Sequence, residues 1–390
     1  MRAVVFSTKP YEQSYLEQAN AERHELVFVE DSLGSATTHL AAGAEAVSIF
    51  TNDDASAPVL DALHAAGVRH IAVRAAGYDQ VALPHAHHLG MRVANVPEYS
   101  PYSIAEHAVA LMLALNRHLR QADYNLRNYD FRLDGLVGFD MHGKTVGIVG
   151  CGRIGGVLAR ILHGFGCRLL GYDPAPNAAL TERYDLVYTS LEEVFAQSDI
   201  VSIHAPLNEH THHFIGAELL QRLKPGAMLI NTGRGGVLDT DAAIAALKSG
   251  HLGALGLDVY EREKGLFFFD HSHKPLLDDT FARLFAFKNV LITGHQAFLT
   301  REALQNIADA TIEHLDCWTR HEASPHELQG LFGRLAAAPP RAALYPHATA
   351  RPQPLVMVGA LPLAVFMAPR LAQAVALGLA PRAPTRAFGR

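Results

Sequence analysis

The chain has 390 residues, of which 49% are hydrophobic and 18% charged, and its formal net charge is −6. Such a length holds two or three domains with full cores, and the acidic balance speaks against a nucleic-acid partner. Three scattered cysteines, Cys151, Cys167 and Cys317, exclude a disulfide framework, and the first apolar run turns polar too early for a secretory signal, so a cytoplasmic protein is expected.

Residues 2–7, 26–29, 46–50, 70–74 and 92–96 read as short buried strands, several of them separated by helical patterns such as APVLDALHAAG. Alternation of this kind predicts a parallel sheet covered by helices. Ser100 suits a helix cap and Pro101 a first turn. Apolar residues then recur at helical spacing as far as Asn128, which predicts one long helix. A second alternating series begins at Lys144. Its strands are expected at 145–150, 168–173, 200–205, 227–232, 253–259 and 289–294, a six-strand doubly wound pattern. A helix from Thr300 to His321 closes the ordered part.

Residues 331–390 differ in kind. They contain no Asp, Glu or Lys, but seven arginines and nine of the twenty prolines, so this tail is +7 and the remainder −13. The composition predicts poor order, with attachment to a membrane surface as the alternative. The most apolar run in the tail, LVMVGALPLAVFMAP, is too short to span a membrane, so no membrane span is expected.

TVGIVGCGRIGG sets Gly150, Gly152 and Gly155 as GxGxxG, directly after a strand and at the start of a helix. Alone the pattern is weak; the strand–turn–helix setting makes it informative. Glycines there let backbone approach a pyrophosphate, and the helix N-terminus offers N–H donors. Asp173 ends the next strand in GYDP, placed to accept from a ribose 2′-hydroxyl and to repel a 2′-phosphate, so NAD rather than NADP is expected. The competing reading is a plain tight turn with Asp173 as a helix cap.

LINTGRGG sets one arginine between glycines at the end of an apolar strand. Arg234, Glu263 in GLDVYERE and His295 in GHQAFLT all lie at or just past strand ends, where doubly wound sheets bind ligands. Their chemistry suits a 2-oxo acid. Arg234 can clamp a carboxylate and polarise the ketone with its planar fork. His295 can give a proton to the oxygen as hydride arrives. Glu263 can bond the other ring nitrogen and orient the imidazole. Singly, each is more often an ion-pair partner or a structural residue; as a set downstream of a nucleotide motif they read as catalytic. HAHH (85–88) and HTHH (210–213) have no Cys, Asp or Glu at ligand spacing, so they read as solvated faces and no metal is expected. FFFDHSH (267–273) reads as a loop tucking aromatics under the active-site face.

Over residues 1–328 the chain resembles the D-isomer-specific 2-hydroxyacid dehydrogenases, and within them the fermentative D-lactate branch. The resemblance is carried by VRAAGYDQVAL, NVPEYSPYSIAEHAVALMLALNR, GKTVGIVGCGRIGG, GYDP, INTGRGGVLDT, GLDVYERE and GHQAFLTREAL. It implies that Arg234, Glu263 and His295 are the catalytic arginine, glutamate and proton donor. It implies cofactor contacts at Arg153, Ile154, Asp173, Ala205, Pro206, Thr211, Thr232, Gly233 and Asp258, and substrate contacts at Ala76, Gly77, Tyr99, Arg234 and Phe298. Gly233 stands where many relatives have serine, which removes one polar side chain near the cofactor.

The fold implied is α/β: two doubly wound parallel-sheet domains, with a Rossmann NAD domain (100–295) inserted into a flavodoxin-like substrate domain (1–99 and 296–330). A homo-oligomer, dimer or tetramer, built through the NAD domain is also implied. The expected activity is reversible reduction of pyruvate to D-lactate, which re-oxidises NADH in fermentation. The alternatives are a reductase of hydroxypyruvate, glyoxylate or phenylpyruvate, or a non-catalytic NAD(H)-sensing protein. A sensor has no need of a proton donor.

Overall fold

Two all-parallel sheets organise residues 1–328, the part of the chain that the computed structural model describes; the expectations for the tail at 331–390 lie outside the described residues. The first sheet holds β1 (Arg2–Val5), β2 (Glu25–Phe28), β3 (Ala46–Ile49), β4 (His70–Val73) and β5 (Arg92–Asn95), in the order β2-β1-β3-β4-β5. The second holds β6 (Thr145–Val149), β7 (Arg168–Tyr172), β8 (Val187–Tyr188), β9 (Ile200–Ile203), β10 (Ala227–Asn231), β11 (Leu252–Leu257) and β12 (Val290–Ile292), in the order β12-β11-β10-β9-β6-β7-β8. The first order is flavodoxin-like, and the second is the Rossmann order with a seventh strand added. Strands β3, β6 and β10 are buried at every residue, as expected of sheets covered on both faces.

Parallel neighbours need crossovers, which helices supply. The helices are α1 (Pro10–Asn20), α2 (Ala57–Ala65), α3 (Leu83–His88), α4 (Pro101–Asn116), α5 (Leu119–Arg127), α6 (Arg153–Gly164), α7 (Ala178–Tyr184), α8 (Leu191–Gln197), α9 (Ala217–Arg222), α10 (Thr240–Lys248), α11 (Asp279–Phe285) and α12 (Arg301–Thr319), of which α4 and α5 link the two sheets and α12 follows the last strand. Ser100 does cap α4, accepting from the Ser103 N–H at 3.1 Å, and Thr300 caps α12 in the same way.

Two expectations need correction. The single long helix after Ser100 is two helices, because His118 adopts a left-handed φ of 51°. Asn116 fixes the break: its side chain donates to the Phe139 carbonyl at 2.7 Å and accepts from the Phe139 N–H at 2.8 Å. The second sheet has seven strands rather than six. The extra strand, β8, is two residues long, too short to leave an alternating pattern.

The chain leaves the first sheet after β5 and packs α4 against β10, β11 and α6, where Ala105, Ala108 and Met112 share a core with Met228, Ile230 and Leu158. It returns at α12. There Ile312, Leu315 and Trp318 lie on Ala3, Ala46, Ala72 and Ala94, one alanine from each of β1, β3, β4 and β5. These small residues leave room for a helix that carries a tryptophan. Beyond α12, Glu327 bridges to Ala94 and pairs with Arg92 at 2.7 Å.

Candidate functional site

A cavity of about 630 Å³ opens at the carboxyl ends of both sheets. The first sheet contributes Phe50 after β3, Ala76 to Asp79 after β4, and Tyr99 after β5. The second contributes His204, Ala205 and Pro206 after β9, Thr232, Gly233 and Arg234 after β10, Asp258 after β11, and His295 and Phe298 after β12. A groove of about 210 Å³ adjoins it, walled by Pro97 to Pro101 and by Gly152 to Gly155 at the start of α6.

His295 lies on the wall of the larger cavity with its Nδ1 2.7 Å from Glu263 Oε1. A carboxylate only accepts, so Nδ1 carries the hydrogen and Nε2 is left to exchange a proton. Glu263 stands behind the wall and accepts in turn from the Tyr260 N–H at 3.1 Å. The His295 backbone is left-handed, with φ of 54°, and its N–H donates to the Asp258 carbonyl at 2.7 Å.

Arg234 reaches the cavity from the second sheet. It is paired within the chain: its Nε donates to Asp79 Oδ1 at 3.2 Å and its Nη1 to the Gly233 carbonyl at 3.1 Å. The guanidinium lies so close over Gly77 that any side chain there would overlap it.

Asp258 is fully buried. It accepts from the backbone N–H groups of Gln296 and Ala297 and from the Thr293 hydroxyl, and His107 Nε2 stands 3.4 Å away. Burial pushes the carboxyl up, but the bonds from His107, Thr293 and the two N–H groups outweigh it and hold the group below its ordinary value.

Aromatic rings close the far side. Phe298 meets Phe50 at 5.8 Å and Tyr99 at 6.5 Å between ring centroids. Burial pushes the Tyr99 phenol up to about 12, so it stays a neutral hydroxyl. Of the FFF triplet, Phe267 packs on Phe281 in the core, Phe268 sits on Phe50 near His295, and Phe269 stays exposed. Two of the three rings are tucked as expected.

In the glycine motif, Gly150 has φ of 92°, and a side chain there would strike the His204 carbonyl. One at Gly155 would strike the Gly150 carbonyl, whereas Gly152 faces open space. Asp173 stands next to this turn, accepting from the Cys151 and Ala175 N–H groups at 2.8 Å each. Arg153 reaches Glu98 at 3.4 Å. Ile154 lines both the cavity and the groove. Thr211 is off the cavity wall; its hydroxyl donates to the Pro206 carbonyl at 2.6 Å and so closes the loop after β9. The two histidine clusters each find a carboxylate distant in sequence: His85 meets Asp61 at 2.8 Å and His213 meets Glu261 at 2.6 Å.

Comparison with known proteins places these features in a family. The profile of the D-isomer specific 2-hydroxyacid dehydrogenase NAD binding domain matches residues 109–297. The D-lactate dehydrogenase of Escherichia coli (strain K12) is 46% identical over 329 residues, covering 84% of this chain and 100% of that protein. The apo-structure of D-lactate dehydrogenase from Escherichia coli aligns with a TM-score of 0.76 at 44% identity, covering 84% of this chain and 100% of that one. The pyruvate reductase of Chlamydomonas reinhardtii aligns with a TM-score of 0.78 at 44% identity, covering 83% and 98%. The chain belongs to the D-isomer specific 2-hydroxyacid dehydrogenases.

As a D-isomer specific 2-hydroxyacid dehydrogenase it is an NAD-dependent oxidoreductase, and the site fits that cofactor. The open space at Gly152 fronts the N-terminus of α6, where anionic phosphates are favoured. Thr232 Oγ1 and His204 Nδ1 are buried polar atoms with no partner among the described residues, and both residues line the cavity. Among the described residues, no helix is long and apolar enough to cross a membrane. Four residues of this dehydrogenase's site, Phe50, Asp79, His107 and His204, escape a reading of the sequence. Asp79 and His107 lie in stretches that carry the resemblance, but no spacing rule marks them out there; Asp79 acquires meaning from Arg234 across the cavity and His107 from Thr293 and Asp258.

Proposed function

We propose that the protein reduces pyruvate to D-lactate, reversibly, in the cavity between its two sheets. The observation that carries this reading is the His295–Glu263 pair at 2.7 Å on the same cavity as Arg234. Arg234 holds the substrate carboxylate and polarises the ketone, with backbone N–H groups of Ala76 and Gly77 as further donors. His295, protonated, gives its Nε2 proton to the ketone oxygen, and Glu263 holds the ring and balances its charge. NADH, when bound, supplies the hydride. Asp258 braces the turn that carries His295. Tyr99 and Phe298, together with Phe50, bound the methyl end with apolar rings. The names of the two relatives, a D-lactate dehydrogenase and a pyruvate reductase, point to the same substrate.

The cofactor-holding residues in this reading are Gly150, Gly152, Arg153, Ile154 and Gly155 at the pyrophosphate and Asp173 at the ribose. Ala205, Pro206, Thr232, Gly233 and Asp258 line the cavity beside the nicotinamide, and Thr211 contributes by holding the loop that carries Pro206. Residues 1–99 and 296–330 form the substrate domain and 100–295 the NAD domain. The buried free cysteines suit a reducing cytoplasm, and the exposed apolar side chains of α5 and the segment after it, Tyr124, Leu126, Tyr129 and Phe131 among them, suit a homo-oligomer.

The test is NADH oxidation with pyruvate, hydroxypyruvate, glyoxylate and phenylpyruvate in parallel, with the chirality of the product determined. The expected result is the highest kcat/KM with pyruvate and D-lactate as the product. Preference for another 2-oxo acid would reassign the substrate, and no turnover despite NADH binding would favour a sensor.

A further inference from the structure

We propose that Asp79 is a positioning residue that decides which edge of the Arg234 guanidinium faces the substrate, an inference that rests on the carboxylate-clamp reading of Arg234. The two residues come from opposite sides of the cavity. Asp79 follows β4 of the first sheet, and Arg234 follows β10 of the second. Both line the cavity.

A guanidinium has five N–H donors in a fixed plane. Asp79 Oδ1 takes the Nε hydrogen at 3.2 Å, and the Gly233 carbonyl takes one from Nη1 at 3.1 Å. Nη2 lies against Gly77, where no side chain fits. The side edge of the fork is therefore occupied. The donors that remain are on the terminal nitrogens, the edge that can meet a carboxylate and its neighbouring ketone oxygen together.

Asp79 is half exposed, so its charge is screened and the pair adds little to stability. Its effect is geometric: it restrains a long, rotatable side chain to one orientation. Because the contact joins the loops after β4 and β10, the arginine is aligned only when the two sheets' loops meet. The carboxylate of Asp79 also accepts at a place where an asparagine amide oxygen could accept equally well.

The experiment uses the full chain with Asp79→Ala, Asp79→Asn and Arg234→Lys, alone and combined, measuring kcat and KM for pyruvate, Kd for NADH, and Tm. Asp79→Ala is expected to raise KM about tenfold and lower kcat about tenfold, the scale of a misplaced binding group, with Kd for NADH and Tm unchanged. Asp79→Asn is expected to recover most of that loss, because its amide oxygen still accepts from Nε. Adding Asp79→Ala to Arg234→Lys is expected to change nothing further, since lysine has no Nε–H to orient. Wild-type kinetics in Asp79→Ala, equal damage in Asp79→Asn, or losses that multiply in the double variant would each overturn the proposal while leaving the clamp standing. A wild-type KM in Arg234→Lys would overturn the clamp itself, and the proposal with it.

Discussion

His295 occupies left-handed backbone, a conformation that costs a non-glycine residue about 1–3 kcal/mol unless its surroundings enforce it. The enforcement is visible. The Asp258 carbonyl takes the His295 N–H, and the Asp258 carboxylate takes those of Gln296 and Ala297. A buried, ionised aspartate thus spends its acceptors on the turn that aims the imidazole. Replacing His295 by Gln keeps a side chain able to donate to Glu263 but removes the proton that the proposed mechanism gives to the ketone. In His295→Gln, kcat is expected to fall by about 10²–10⁴-fold, with Kd for NADH near wild type; rapid-mixing and fluorescence titration would measure the two. A kcat within twofold of wild type would remove His295 from the proton-donor role. Arg234, Glu263 and His295 are legible in the sequence because each interrupts or follows an apolar strand with a polar group that needs a reason. Asp79 is not legible, since its partner lies 155 residues away and nothing in AAGYDQ requires one.

Strands announce themselves because both sheet faces are buried: every expected strand exists, shifted at its ends by a few residues. The break at His118 does not, because helical spacing records which face is apolar and not whether the axis continues. Helix α5 shows what the spacing hides. It is amphipathic yet has no buried residue. Leu119, Tyr124 and Leu126 on it, and Tyr129, Phe131, Leu133 and Val137 in the segment that follows, are each more than half exposed. A short helix gains most of its stability from packing an apolar face, and this face packs on nothing among the described residues. A run of exposed aromatic and aliphatic side chains is the surface expected at a contact between copies. Sedimentation velocity is expected to give a mass of at least two chains for the wild type, and Tyr129→Asp combined with Leu133→Asp is expected to shift it toward one. A wild-type mass of one chain would sink this account of the arm.

At the scale of the whole molecule, the returning helix α12 is tied to the cavity by a relay of neutral groups. Ser324 Oγ is 2.7 Å from His314 Nδ1, His314 Nε2 is 3.0 Å from the Asn95 carbonyl, and Asn95 Nδ2 donates to the Ala76 carbonyl at 2.7 Å. A carbonyl only accepts, so Nε2 holds the hydrogen and Nδ1 accepts from the serine hydroxyl. Both ring nitrogens are satisfied by the uncharged tautomer, and His314 is fully buried. Burial pushes its pKa down to about 4, below the 6.5 of an exposed histidine. The sign follows from that direction. The unfolded chain takes up the proton first as pH falls, so the stability at this site is complete above about pH 6.5 and is lost progressively toward about pH 4. A shift of that size corresponds to about 3 kcal/mol over the window. Tm is therefore expected to fall between about pH 7 and about pH 5. In His314→Gln, which can still donate and accept but does not titrate, Tm at neutral pH should be lower and its slope with pH shallower. Some slope should persist, because burial also lowers the pKa of His24, which bonds Asp316 on α12. Equal slopes in the two proteins would show that the acid sensitivity originates elsewhere in the fold.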